Sequence, residues 1–212
     1  MSDSGEHKIV QIDEEKRLRI INAGINEFSK GYRQASTDVI VREAGISKGL
    51  LFYYFGTKKD LFLYLYDYAV QTVLTELSNL VDLNERDFLL RWRQQLVSQC
   101  GLCRKYPSIF RFLRPENLIN AQKVLPELWK YKKTFHDHWP KMLVNIDTSL
   151  FRSDLSAEDV YKTLLIFIQG YTAQIFHRHE DFDDITLRLD ELLREFDTYI
   201  AILRKCFYTQ EN

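Results

Sequence analysis

Glycine and proline are scarce, eight and four in 212 residues, about half of the roughly 12% that average usage gives the pair. So few turns and breakers predict a chain that is mostly helix. Cysteine is scarcer, with only Cys100, Cys103 and Cys206. An odd, sparse count is no disulfide framework for a chain of this size, and reduced thiols are expected. The longest apolar runs are as short as Leu164 to Ile168, against the roughly 20 residues needed to cross a bilayer. No membrane span is expected. The first fifteen residues hold Asp3, Glu6, Asp13, Glu14 and Glu15, with no basic segment followed by an apolar block. No secretory signal is read there, and the cytoplasm is the expected compartment. Net charge is nearly absent, at −1, but hydrophobic residues at 45% exclude a disordered chain.

Chemistry-bearing motifs are missing too. There is no nucleophile triad, phosphate loop or dinucleotide fingerprint, so an enzyme reading has no residues to name and no cofactor is expected. His136 and His138, like His177 and His179, are two apart and diverge by about 200° on a helix, a poor metal clamp. Cys100 and Cys103 are three apart in a segment with helical flanks, where two thiols on one face read as small buried hydrophobes. A redox-responsive pair is the alternative.

The near-zero net charge hides an asymmetry. Residues 16–60 carry nine bases against four acids, a local +5, and the rest of the chain carries −6. A basic patch on an otherwise acidic protein points to an anionic partner or to a solvated helical face. In the same stretch Leu18, Ile21, Ile25 and Phe28 form the stripe of an amphipathic helix over residues 12–30, closed by Gly31. Thr37 is expected to cap a short helix with Val39, Ile40, Val41 and Ala44 facing inward, stopped by Gly45. Ser47 caps a third helix, Lys48–Tyr54, with Leu51 and Phe55 toward the core. Gly56 and Thr57 then open a long fourth helix. Two short helices separated by Gly45-Ile46-Ser47 have helix-turn-helix spacing.

These residues together, from Ile20, Ile21, Ala23, Phe28, Gly31 and Tyr32 through Thr37, Ile40, Ala44-Gly45-Ile46-Ser47-Lys48-Gly49, Leu51, Tyr54-Phe55, Lys58 and Leu61, strongly resemble the N-terminal DNA-binding domain of the tetracycline-repressor (TetR) family. The resemblance covers about residues 15–65. Val41, Phe52 and Gly56 depart from the usual Ala, Tyr and polar or basic residue, and Phe52 lacks a hydroxyl for a phosphate. The resemblance implies an all-α protein, with a helix-turn-helix domain at 12–65 and a helical effector and dimerisation domain at 66–212. With the chemistry of the residues, it implies phosphate contacts from Thr37, Tyr54 and Lys58. Lys48 is then in reach of a guanine O6 or N7, Gly49 allows close backbone approach, Leu50 meets a thymine methyl, and Tyr53 meets a base or a phosphate.

A helix this short reads few bases, so a homodimer on a pseudo-palindromic operator in double-stranded DNA is expected. Leu189, Leu192, Leu193, Phe196, Ile200, Leu203 and Phe207, with Leu164, Ile168 and Ile175 on the preceding helix, are the candidate dimer interface, intramolecular core being the alternative. Aromatics crowd residues 106–140, suiting an aromatic or lipophilic small-molecule effector. Trp92, Trp129, Phe135, Trp139, Phe167, Tyr171 and Gln174 are the candidate pocket. The expected function is an effector-released repressor. An activator, a thiol-redox regulator through Cys100 and Cys103, and an all-α small-molecule-binding protein or enzyme without DNA function are the alternatives.

Overall fold

The Asp13 carboxylate accepts the backbone N–H of Lys16 and so starts the first of the eight helices among the described residues. The computed structural model describes residues 12–114, 117, 121, 126–128, 144–178 and 187–209. Its helices are α1 (Glu14–Phe28), α2 (Thr37–Ala44), α3 (Lys48–Phe55), α4 (Lys58–Leu80), α5 (Phe88–Lys105), α6 (Pro107–Phe112), α7 (Ala157–Arg178) and α8 (Leu189–Phe207), with 3-10 turns at Pro126–Leu128 and Thr148–Leu150. The all-α expectation holds. Among the described residues the sole β-type pairing is an isolated bridge between Phe151 and Tyr208, and no helix is long and apolar enough to cross a membrane.

Chain packing forms two units, Met1–Leu74 with Ser108–His136, and Thr75–Pro107 with Asp137–Asn212. This differs from the boundary expected near residue 65, because a downstream segment joins the first unit. Within that unit α1 buries Ile20, Ile21, Ala23, Ile25 and Phe28, whereas Leu18, expected on the same stripe, is 39% exposed. Two polar contacts then fix α2 along α1. Arg19 Nε donates to the Ala44 carbonyl at the end of α2, and Glu27 Oε1 accepts the Ser36 N–H at its start. The two helices therefore run antiparallel. Phe28, Phe62, Tyr66 and Phe112 close the interior as an aromatic cluster, with Phe62 edge-on to Phe28 at 5.1 Å and to Phe112 at 5.3 Å. Phe112, 1% exposed, comes from α6, far along the chain. The Asn117 carboxamide adds two bonds, donating to the carbonyls of Ser29 and Arg111.

In the second unit Asp87 caps α5 by accepting the N–H groups of Leu89 and Leu90. Its carboxylate also receives Arg204 and the Tyr208 hydroxyl, which pins α8 to the start of α5. Arg91 is buried and donates to the carbonyls of Leu83, Glu85 and Val144. These bonds satisfy irregular backbone that no helix serves. Residues 144–147 are turn and loop. On α7 and α8, Tyr171 stacks on Phe196 at 5.3 Å and donates its hydroxyl to the Leu192 carbonyl.

That packing shows where the residues expected at a dimer interface lie within the chain. Leu164, Ile168, Ile175, Leu189, Leu192, Phe196, Ile200 and Leu203 are buried within the single chain, and Leu193 and Phe207 are half-buried. A stripe at three-and-four spacing marks a buried face without saying which chain covers it.

Two outcomes follow. Phe112→Ala removes a ring held among three others and is expected to cost about 3–5 kcal/mol, read as a lowered urea midpoint. Burial raises the Glu27 carboxyl, but the Lys30 ammonium, the Ser36 N–H and the charges of Lys30 and Arg42 outweigh it and hold the carboxyl below the ordinary glutamate range. A depressed pKa stabilises fully above about pH 4.5 and loses that stabilisation as pH falls through the folded-state value. Glu27→Gln should therefore cost about 1–2 kcal/mol at pH 7. Denaturation from pH 7 to pH 3 should show the gap to wild type closing on acidification.

Candidate nucleic-acid interface

The geometry of α2 and α3 starts with the turn between them. Gly45 takes φ +66°, the left-handed region that glycine enters without strain, and Ile46 N–H bonds back to the Val41 carbonyl. Ser47 then caps α3, its hydroxyl accepting the Leu50 N–H. Leu51 and Phe55 are buried, as expected from their spacing. The opposite face is left outward. Lys48, Gly49 and Tyr53 are exposed, Tyr53 by 56%, while Leu50 and Tyr54 are half-buried. A methyl group built on Gly49 meets nothing within 4 Å, so the backbone there is open to close approach.

Thr37 differs from expectation in a useful way. The N-cap of α2 is Ser36, whose side chain makes no capping bond and whose backbone N–H is given to Glu27; Thr37 is the first helical residue. The first turn of α2 thus presents backbone donors with no side-chain cap over them, at the positive end of the helix dipole.

Lys58 is expected on a phosphate, and in the chain by itself it is engaged within the domain. Its ammonium donates to the Ala35 carbonyl at 2.6 Å and lies 5.1 Å from the Tyr32 ring centroid and 6.0 Å from that of Phe28. Burial pulls its pKa below the ordinary lysine range, with the Glu27 charge opposing. The charge is committed inside the domain, fastening the start of α4 to the segment before α2. Thr57 and Asp60 cap α4 reciprocally, the carboxylate accepting the Thr57 N–H and hydroxyl while the Thr57 oxygen accepts the Asp60 N–H.

Of the expected effector residues, Trp129, Phe135 and Trp139 lie outside the described residues. Trp92 is buried on α5, Gln174 is exposed on α7, and Phe167 and Tyr171 pack on Tyr199, with centroids 5.5 and 5.3 Å away. Sequence reasoning passed over Gln95. Its side chain is buried and its Oε1 has no hydrogen-bond partner among the described residues. Its placement between Trp92 and Leu96 on the buried side of α5 was the available signal. Also unforeseen were Arg19 and Glu27, whose contacts across α1 and α2 no spacing encodes, and Asp38, which pairs with Lys48. Among the described residues no three metal-ligating side chains are grouped.

A model of the N-terminal domain of bacterial regulatory proteins of the tetR family matches residues 20–65, which contain α2, α3, the turn and most of α1. No curated protein matches the sequence. Among solved structures, the chain is similar to a TetR family transcriptional regulator from Chloroflexus aurantiacus, at TM-score 0.59 and 19% identity over 96% of this chain and 98% of that one. It is similar at TM-score 0.60 and 16% identity to a ketosteroid transcriptional regulator of Mycobacterium tuberculosis, over 94% and 98% of the two chains. A TetR family regulator from Thermus thermophilus matches at TM-score 0.55 and 16% identity, over 83% and 97%. At these identities the structures speak for the fold, and the domain match speaks for the helix-turn-helix. Residues 20–65 therefore carry an N-terminal domain of the tetR family, on a fold similar over most of the chain to those of TetR family transcriptional regulators.

Proposed function

We propose that the chain is a homodimeric repressor that binds a pseudo-palindromic operator and is released from it by a small-molecule effector. The observation that carries the DNA half is the outward face of α3, with Lys48, Gly49 and Tyr53 exposed beside an α2 whose first turn has no side-chain cap. Thr37, Tyr54 and the first N–H groups of α2 are assigned to phosphates, which set register. Lys48 is assigned to a guanine edge, Leu50 to a thymine methyl, and Tyr53 to a base or phosphate, with Gly49 allowing the approach. Lys58 acts from inside by holding Ala35.

The dimer reading moves to the other faces of α7 and α8. Thr163, Ile166, Gly170 and Ala173 are exposed along one side of α7, Ile166 by 70%, and Thr198, Ala201 and Ile202 are exposed on α8. Small and apolar side chains at helical spacing suit close packing against the same helices of a second copy.

For the effector, Gln95 offers a buried carbonyl oxygen lacking a partner, an arrangement that is costly unless a donor arrives. A largely apolar molecule carrying one hydroxyl or N–H donor fits that residue beside Trp92. Release is a population shift, with the effector favouring a dimer whose recognition helices are wrongly spaced for the operator.

The redox alternative is weakened by where the thiols lie. Burial pushes the Cys100 thiol up to about 11 and raises Cys103 as well, with Cys100 adding to the effect, so little thiolate forms at neutral pH. Cys206 alone of the three is exposed. Alkylation of the native protein at pH 8 should label Cys206 quickly and reach Cys100 and Cys103 only on unfolding. Fast labelling of either buried thiol would revive the redox reading.

DNA selection tests the main proposal. Purified protein should enrich a near-palindromic duplex from a random pool, with affinity falling steeply as salt rises. Lys48→Ala should cost about 1–3 kcal/mol on that duplex and relax preference at one position per half-site. Equal losses on enriched and mixed-sequence duplex would remove Lys48 from base readout.

A further inference from the structure

Asp38 stands apart from the other acidic residues of the helix-turn-helix region by what it engages. Glu15 pairs with Arg19, Glu27 with Lys30, Glu43 with Arg42, and Asp60 binds the Thr57 hydroxyl and N–H. Those contacts stay within one helix and its ends, and Glu27 in addition accepts the backbone N–H of Ser36 at the start of α2. Asp38 instead reaches across the turn from the first turn of α2 to Lys48, the first residue of α3, with Oδ1 2.7 Å from Nζ. Both side chains are open to solvent, at 71% and 51%.

The placement has an electrostatic logic. Lys48 sits at the N-terminal end of α3, where a positive charge is of the wrong sign for the helix dipole, while Asp38 has the right sign for α2. An exposed pair contributes little to folding, so its larger consequence concerns what Lys48 does next. Binding to arbitrary duplex draws its strength from cations that displace counterions from phosphates. A lysine already neutralised by a carboxylate displaces fewer, and the carboxylate itself repels the backbone. A guanine edge in register offers two acceptors, O6 and N7, at close range. Only that arrangement competes well with Asp38.

We propose that Asp38 is a specificity-determining residue, which holds the Lys48 ammonium away from arbitrary phosphates and gives it up to a correctly placed base. This rests on the DNA-binding reading above. It is the use of an unfavourable contact against wrong partners.

The test compares wild type, Asp38→Asn, Lys48→Ala and the double variant on two probes. These are the duplex that wild type enriches from a random pool and a mixed-sequence duplex of equal length, each titrated at three salt concentrations. Asp38→Asn should tighten mixed-sequence binding about fivefold, change enriched-duplex binding less than about twofold, and steepen the mixed-sequence salt slope by about one per protomer. With Lys48→Ala in place, the gain should shrink to less than about twofold. Equal gains on both probes, or an undiminished gain with Lys48→Ala, would make Asp38 a general repulsive charge and overturn the proposal. If nothing is enriched but mixed duplex is bound, a gain that depends on Lys48 supports it and one that does not refutes it. Binding to neither probe at low salt would remove the DNA reading and this proposal with it. Asp38→Ser, checked by thermal melting alongside Asp38→Asn, guards against a folding artefact and should give the same pattern.

Discussion

The clasp of α1 on α2 is the constraint on which the rest of the N-terminal unit depends. Glu27 holds the start of α2 through Ser36 N–H, and Arg19 holds its end through the Ala44 carbonyl. An eight-residue helix is too short to be stable alone, so these two contacts and the burial of Ile40 and Ala44 give α2 its place. Because Gly45 and Ser47 then fix the turn, α3 inherits its direction from α1. The Glu27 carboxylate is worth its burial only as an anion, since three cationic or N–H groups converge on it. Lys58 completes the frame from α4 by binding Ala35, one residue from the Glu27 contact.

This division of labour explains which charges face outward. Arg19, Lys30 and Lys58 are bound within the domain, and Lys48 is held across the turn by Asp38. A local excess of basic residues therefore says less about phosphate contacts than its size suggests, because part of that charge is structural. The outward face of α3 keeps its small and polar residues because its inward face, Leu51 and Phe55, already supplies the burial that the helix needs.

The second unit is organised by polar groups of equal consequence. Asp87 unites a helix cap, an ion pair with Arg204 and the Tyr208 hydroxyl. Arg91 serves the carbonyls of Leu83, Glu85 and Val144. Neither could be replaced by an apolar residue without stranding buried backbone or cap groups. With α7 and α8 packed through Tyr171, Phe196 and the Leu192 carbonyl, the Ile166 and Ala201 sides of these helices remain open, which is where the proposed partner copy sits.

The sequence by itself determined the helical class, the caps at Ser47 and Thr57, the turn at Gly45 and the family of the domain at residues 20–65, because each is written in neighbouring residues. Helix periodicity and cap chemistry are local, and scarce glycine and proline are informative where they occur. Tertiary structure alone decided that α6 delivers Phe112 to the first unit, that Lys58 turns inward, that Asp38 meets Lys48, and that the leucine stripe of α8 is core. Periodicity shows that a face is buried but not what buries it. A charged side chain's partner is set by which helices the fold brings together, and residues such as Arg19 and Ala44, 25 apart in the chain, carry no mark of each other until it does.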